Sequence, residues 1–136
     1  MIARATFAAV VWLSSLSLSA QPLVFDHCEI LKVTDGDTFV CMVALGLEDF
    51  TRIKVRVAES KTVKFDAPEL KAKTIEEVQR GLAAKERAKE LLPVGSIVKI
   101  ETYRATADIY SRYTAAVFLP DGRNFAAVMI SEGHVK

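Results

Sequence analysis

Two short acidic segments carry residues that could bind a metal ion. Residues 33–38 read VTDGDT, and residues 65–69 read FDAPE. Carboxylate oxygens are the ligands that Ca²⁺ and Mg²⁺ prefer. Far downstream, Arg112 offers a planar guanidinium of the kind that holds a phosphodiester. Metal ligands, a guanidinium and a spare carboxylate together predict phosphodiester hydrolysis.

Each acidic segment taken alone is also explained by a simple turn. Asp35 and Asp37 could do no more than shape a tight Asp-Gly turn, and residues 66–68 could be the exit from a strand. The combination favours the metal site, because Glu69 follows Asp66 by three residues and an arginine lies downstream. No spacing of cysteine and histidine indicates zinc.

Three β-strands are predicted around these segments. Residues 28–33 and 39–43 are short, β-rich runs separated by an Asp-Gly turn, which predicts an antiparallel hairpin. Residues 51–57 alternate, with apolar side chains on one face and basic side chains on the other. This pattern predicts a third strand with a basic face.

After Thr74, the apolar residues recur at the spacing of an α-helix. Thr74 and Glu77 have the form of a capping box. Apolar residues then recur at helical spacing until Pro93 and Gly95: Ile75, Val78, Leu82, Ala88, Leu91 and Leu92. The pattern predicts one amphipathic helix of mixed charge whose polar face is solvated.

The remaining sequence completes the predicted fold. Residues 96–102 and 113–119 read as two further strands, and Asn124 can cap a short helix at 125–132 that ends at Gly133. Five strands and two helices in this order predict an α+β domain. We expect a partly open, five-stranded OB-type β-barrel with one long and one short α-helix packed at its edge.

The N-terminus reads as a signal peptide, residues 1–20. Arg4 precedes an apolar and small-residue run at 5–18 that contains no acidic residue. The run is shorter than the roughly 20 residues that span a bilayer, although a retained membrane anchor is the alternative. The sequence therefore predicts a secreted or periplasmic domain at 21–136 that has no membrane contact after signal removal.

Charge excludes one class of nucleic-acid-binding protein. The chain has 18 Lys and Arg and 17 Asp and Glu residues, and removal of Arg4 with the signal leaves 17 of each. A neutral domain does not coat nucleic acid by bulk charge, so binding of a polyanion must use a local patch.

The two cysteines leave an alternative open. Cys28 and Cys41 flank the Asp-Gly turn, and an oxidising compartment would favour a disulfide. With a hairpin centred on Gly36, however, Cys28 lies opposite Ala44 and Cys41 faces the other side of the sheet. A disulfide therefore needs a bulge or an offset register, and two buried thiols are the alternative.

From about Cys28 to its C-terminus, the chain resembles the staphylococcal-nuclease-like (thermonuclease) family. The resemblance lies in four segments that occur in order. They are VTDGDT at 33–38, DAPE at 66–69, DIYSRY at 108–113, and DGRN at 121–124 followed by ISEGH at 130–134. It implies a five-stranded OB-type barrel and a Ca²⁺-dependent nuclease that hydrolyses DNA and RNA with little sequence preference.

The resemblance also implies a metal centre. Asp37 and Asp66 correspond to its carboxylate ligands, and the main-chain carbonyl of Ala67 to a third ligand. Asp35 corresponds to a residue of the outer shell around the ion. Glu69 corresponds to the residue that orients or deprotonates the attacking water. Ca²⁺ is expected ahead of Mg²⁺ or Mn²⁺, because few ligands in a loose oxygen cage suit its irregular coordination.

Substrate contacts follow from the same resemblance. Arg112 is expected to bind the phosphate and stabilise charge in the transition state, and Tyr110 to donate a hydrogen bond beside the phosphate. The expected partner is single-stranded or locally melted DNA and RNA, and the expected state is a monomer.

The chain departs from the family at its second catalytic arginine. In the family that arginine lies five residues before the second metal aspartate, and this position is Lys61 here. Arg56 ends the alternating strand, and about five extra residues then separate it from Asp66. If the strand runs straight through, Lys61 contacts the phosphate. If residues 60–64 loop out, Arg56 keeps the catalytic place, and this second arrangement is the one we favour.

Two other functions remain open from the sequence. A barrel of this type can bind single-stranded nucleic acid without cutting it, through basic grooves and aromatic side chains. An inactivated nuclease-like scaffold is the other alternative, because Lys61 and the extra residues alter the site.

Overall fold

The computed structural model describes residues 8–9, 22–104 and 106–136. The predicted signal peptide at 1–20 lies outside the described residues except for Ala8 and Ala9, which are exposed. Within the described ranges, no helix combines the length and the apolar character that a bilayer span requires.

Five strands form a closed barrel with two helices packed outside it. The elements are β1 Leu23–Asp35, β2 Thr38–Gly46, β3 Asp49–Ala58, α1 Ile75–Leu91, β4 Ile97–Thr102, β5 Arg112–Phe118 and α2 Phe125–Ser131. The strands are ordered β1-β2-β3-β5-β4, and β4 pairs with β1 to close the barrel. Only the β3–β5 pair is parallel among these strands. The predicted fold class, an α+β OB-type barrel with one long and one short helix, is confirmed.

Closure of the barrel depends on a first strand longer than predicted. β1 has 13 residues, whereas the sequence pattern predicted residues 28–33 alone. Its first part pairs with β4 and its later part with β2, and register shifts interrupt both pairings. Asp26 and His27 break the apolar alternation there, which hid this part of the strand from pattern analysis. The barrel is therefore closed, not partly open.

Cys28 and Cys41 form a disulfide across the first hairpin. A register shift between Ile30 and Lys32 makes Val43, and not Ala44, the partner of Cys28, while Cys41 pairs with Ile30. The shift places both cysteines on one face, with their Cα atoms 5.6 Å apart and both side chains fully buried. The bulge thus permits the bridge that a regular hairpin would prevent.

α1 packs inward through small residues, and only the C-terminal part of the predicted apolar stripe packs inward with them. Ile75 is 79% exposed and Leu82 is 50% exposed, so the expectation that they pack inward is wrong. Gly81 and Ala84 are buried in their place, while Ala88 and Leu92 of the predicted stripe are buried as expected. Small side chains let the helix axis approach the barrel closely, which larger residues would prevent.

This close approach fixes two loops of the candidate site. A Cβ atom on Gly81 would lie 2.5 Å from the carbonyl oxygen of Glu69, and one on Gly36 would lie 3.0 Å from the Cβ of Ala84. A Cβ on Gly36 would also lie 2.7 Å from the Cβ of Ala67. The β1–β2 turn, the segment after Asp66 and α1 are therefore packed in direct contact.

Both helices begin as predicted. The Thr74 side chain accepts a hydrogen bond from the Glu77 N–H at 3.2 Å. The Asn124 side chain accepts one from the Ala127 N–H at 3.0 Å and also donates to the Glu59 carbonyl at 2.9 Å. Since Glu59 follows β3, the α2 cap anchors the loop that separates β3 from the second acidic segment.

Candidate metal and phosphate site

Most of the predicted site residues line a single cavity of about 240 Å³. It lies where the β1–β2 turn meets the segment that follows Asp66. Its lining includes Asp35, Asp37, Arg56, Asp66, Ala67, Glu69 and Arg112, together with Pro68 and Lys136. Lys61 and Tyr110, two further predicted residues, do not line this cavity. Residues up to 101 positions apart in sequence, Asp35 and Lys136, thus meet in one place.

Asp37 accepts hydrogen bonds through both of its carboxylate oxygens. Its Oδ2 accepts a hydrogen bond from the Ala67 N–H at 3.0 Å, and its Oδ1 accepts one from the Thr38 hydroxyl, also at 3.0 Å. The Asp37 N–H donates to Asp35 Oδ1 at 3.1 Å, as in an Asx turn. These contacts join the two acidic segments through one carboxylate.

Burial raises the pKa of Asp37 to about 6, and the carboxyl group of Asp35 contributes through a hydrogen bond and its negative charge. Arg56 and the Ala67 N–H act in the opposite direction but do not cancel these effects. The ionised carboxylate is thus costly in this environment. Additional positive charge in the cavity would stabilise it.

Arg56 joins the two predicted metal-binding carboxylates. Its Nη1 lies 2.7 Å from Asp37 Oδ2, and its Nη2 contacts Asp66 Oδ1. The Arg56 side chain is only 19% exposed. Both acids can therefore reach one cationic group, and in this structure that group is the guanidinium.

The donor set fits a hard cation in its chemistry. Asp37, Asp66 and the Ala67 carbonyl are all oxygen donors, as Ca²⁺ requires, and the two carboxylates already converge on one positive charge. Within the described ranges, no group of three or more His, Cys, Asp or Glu residues is arranged to hold a metal ion. A cation here must therefore complete its coordination with water or substrate and compete with Arg56.

The C-terminal residues cover one side of the cavity. The Lys136 Nζ donates to Glu69 Oε1 at 2.8 Å, and the Lys136 N–H donates to the Asp66 carbonyl at 2.8 Å. Arg80 of α1 donates to the Val135 carbonyl at 3.1 Å. Both the Lys136 and Glu69 side chains are about 60% exposed, so this ion pair is weak and can exchange with solvent.

Arg112 is oriented by its own loop. Asp108 Oδ2 accepts a hydrogen bond from Arg112 Nε at 3.0 Å, and Asp108 Oδ1 accepts from the backbone N–H groups of Arg112 and Tyr110. The Arg112 N–H is the main reason that the pKa of Asp108 is lowered. The Tyr110 ring lies 5.0 Å from the Arg112 guanidinium carbon. Tyr110 therefore supports the arginine from outside the cavity.

The extra residues before Asp66 form a compact loop. The N–H groups of Glu59 and Ser60 donate to the Val63 carbonyl at 3.0 and 3.2 Å, and Ala58 pairs with Lys64. Lys61 is exposed on this loop. Of the two arrangements derived from the sequence, the structure has the looped one, in which Arg56 and not Lys61 lies beside Asp66.

Three groups at the site were missed by sequence reasoning. Asp108 begins the segment DIYSRY but has no predicted role, and its position four residues before Arg112 is the signal that could have found it. Lys136 meets Glu69 across 67 residues, so no local pattern could find it. Gly81 faces the Glu69 backbone, and an isolated glycine in a helical pattern was its only signal.

No protein-family model matches the chain, and no curated protein matches it either.

Proposed function

We propose that the protein is a metal-dependent phosphodiester hydrolase that cuts DNA and RNA with little sequence preference. One observation carries this proposal: four acids and two arginines line the same cavity. These are Asp35, Asp37, Asp66, Glu69, Arg56 and Arg112. A pure binding site has no use for four acids, because they repel phosphate unless a cation is bound. The resemblance to thermonucleases points to the same activity.

The metal would be held by Asp37, Asp66 and the Ala67 carbonyl. Bound Ca²⁺ supplies positive charge that neutralises phosphate oxygens and lowers the pKa of water. Once it leaves Lys136, Glu69 is the carboxylate that can accept a proton from the attacking water. Because Glu69 and Lys136 are both largely exposed, separating their ion pair costs little free energy.

The two arginines can then hold the phosphate. Asp108 accepts from Nε of Arg112, so the terminal nitrogens of that guanidinium remain able to face a phosphate. Arg56 lies across the cavity between Asp37 and Asp66. If it turns from these carboxylates to the substrate as the cation binds, both guanidinium groups stabilise the charge that develops in the transition state.

Digestion of single-stranded DNA by the purified protein, with Ca²⁺ and with excess chelator, tests the proposal. We expect cutting with Ca²⁺ and none with chelator. The variant Glu69→Gln is the matched inactive control, because it keeps the side-chain size and removes the base.

The same assay distinguishes the other two functions. Tight binding without cutting in either condition indicates a nucleic-acid-binding module. The contact of Arg56 with both carboxylates favours this second candidate, since it reduces their repulsion of phosphate. Neither binding nor cutting indicates an inactive scaffold, and either result would overturn the proposed activity.

A further inference from the structure

A groove continues from the candidate site toward the loop of extra residues. Beside the site cavity lies a second space of about 290 Å³, which shares Arg56, Asp66 and Arg112 with it. A third space, of about 310 Å³, shares Lys64 and Arg112 with the second. Because each space shares lining residues with the next, the three lie side by side near the end of β3 and the start of β5.

The far end of this groove is strongly basic. Lys61, Lys64 and Arg104 line it, and its one acidic residue, Asp108, is paired with Arg112. Among the described residues, no carboxylate lies within ion-pair distance of Lys61, Lys64 or Arg104. A neutral domain thus concentrates three uncompensated positive charges beside its candidate site.

The loop at 59–63 holds two of these lysines in place. The Ser60 hydroxyl accepts hydrogen bonds from the Thr62 and Val63 N–H groups at 3.4 and 3.1 Å. Lys64 follows directly and pairs through its backbone with Ala58 of β3. Lys61 and Lys64 therefore project from a structured turn that is joined to β3 by a backbone pair.

An aromatic side chain lies in the same part of the groove. Tyr103 lines it together with Lys61 and Arg104, and it is partly exposed. Tyrosine rings serve as stacking surfaces for unpaired bases, and lysines and arginines bind the phosphates between them. This combination suits a nucleic-acid strand better than a lone phosphate ion, which needs no aromatic surface.

We infer that Lys61, Lys64 and Arg104 form a second phosphate-binding site, which holds the backbone of a single strand beyond the phosphate that is cut. Tyr103 stacks on a base of the same strand. The inference rests on the proposed function in one respect, namely that the strand runs from the site cavity into this groove. Binding of the strand in the groove itself needs no catalysis. The loop of extra residues is thus a substrate-binding element.

The test is a binding titration that does not depend on cutting. A fluorescent single-stranded oligonucleotide is titrated with the purified protein in chelator at several salt concentrations, and anisotropy is measured. The variant is Lys61→Ala/Lys64→Ala. The control is Lys32→Ala/Lys89→Ala, which removes two exposed lysines that do not line the groove.

We expect the groove variant to bind on the order of tenfold more weakly at low salt. The magnitude of the slope of log K against log salt should fall by roughly 1.4, because two phosphate contacts are lost and each contact on a single strand contributes about 0.7. The control variant should bind like the wild type. Tyr103→Leu should weaken binding without changing the salt slope.

Equal binding by the groove variant and the control, or no binding by the wild type, would overturn the inference. Neither result depends on hydrolysis. Conversely, a protein that binds as predicted but never cuts with Ca²⁺ would support the inference and refute the proposed activity. The two failures can therefore be distinguished.

Discussion

The two ends of the barrel carry cavities of equal volume, about 240 Å³, with opposite chemistry. One lies at the β1–β2 turn and is lined by acids and arginines such as Asp37 and Arg56. The other lies at the start of β1 and the far part of β2, and is lined mainly by apolar side chains such as Phe25, Val43 and Ile53.

The difference lies in what each end is packed against. At the charged end, α1 approaches through Gly81 and Ala84 and holds the turn at Gly36 and the segment after Asp66 in place. At the apolar end, exposed side chains such as Leu45 and Phe50 remain at the surface. Of these two cavities of equal size, only the one at the charged end is a candidate catalytic site, because packed elements bring its charged groups together there.

The largest expected effect is a loss of DNA-cutting rate in a variant at the charged end, compared with a variant at the apolar end. Glu69→Gln should reduce the rate of DNA cutting by roughly 10²–10⁴-fold, because it removes the base while preserving the side-chain volume. Leu45→Ala, at the apolar end, should leave the rate unchanged. The comparison is a Ca²⁺-dependent digestion of single-stranded DNA at equal protein concentration, with circular dichroism to verify folding. Similar losses in both variants would contradict the assignment of chemistry to the charged end.

The second prediction compares two basic residues near the charged end. Arg56→Ala should lower plasmid nicking by roughly 10²–10³-fold, because the guanidinium stabilises the transition state. It should also tighten Ca²⁺ binding, since a competing positive charge leaves Asp37 and Asp66. Lys61→Ala should cause a much smaller loss, because its side chain lies outside the site cavity. A larger loss at Lys61 would refute this assignment.

The third prediction concerns packing at the charged end. Gly81→Ala should lower the free energy of unfolding by about 1–3 kcal/mol, although alanine is the better helix former, because the new methyl group would meet the Glu69 carbonyl. It should also reduce activity by displacing Glu69. Gln79→Ala, on the exposed face of the same helix, should not destabilise the protein. Urea denaturation measures both variants, and a stabilised Gly81→Ala would disprove the close packing.

The smallest expected effect depends on pH. The folded-state pKa of Asp37, about 6, lies above its ordinary value of 3.8, so the folded protein holds an extra proton between these values. The contribution of protonated Asp37 to the stability of the folded protein is complete below pH 3.8 and is lost as pH rises through 6. In chelator, Asp37→Asn should therefore stabilise the protein at pH 7.5 and have little effect at pH 4. Equal effects at both pH values in thermal unfolding would contradict this reasoning.

Much of the fold could be predicted because its signals are local. The Asp-Gly turn, the alternation at residues 51–57 and the caps at Thr74 and Asn124 each specify an element from neighbouring residues. The barrel class followed from the order of those elements. By contrast, the early part of β1 owes its strand conformation to pairing with β4, which is distant in sequence.

The residues of the candidate site also fall into those with a local sequence signal and those that depend on long-range contacts. The acids of the two turns could be singled out because their spacing is visible within a few residues, and their roles stay predictions that rest on the resemblance. The contact between Lys136 and Glu69 and the contact between Gly81 and the Glu69 backbone arise only when distant segments meet. The bulge that unites Cys28 and Cys41 is likewise a property of the folded hairpin.

The most direct measurement of the central claim is calorimetric titration of the purified protein with Ca²⁺, in the presence of a nucleotide that the protein cannot cut. We predict saturable binding of one ion by the wild type and greatly weakened binding by Asp66→Asn, since Asp66 is predicted to supply one of the two carboxylate ligands. Absence of Ca²⁺ binding by the folded wild type, or equal binding by both proteins, would contradict the claim that the two acidic segments hold one cation.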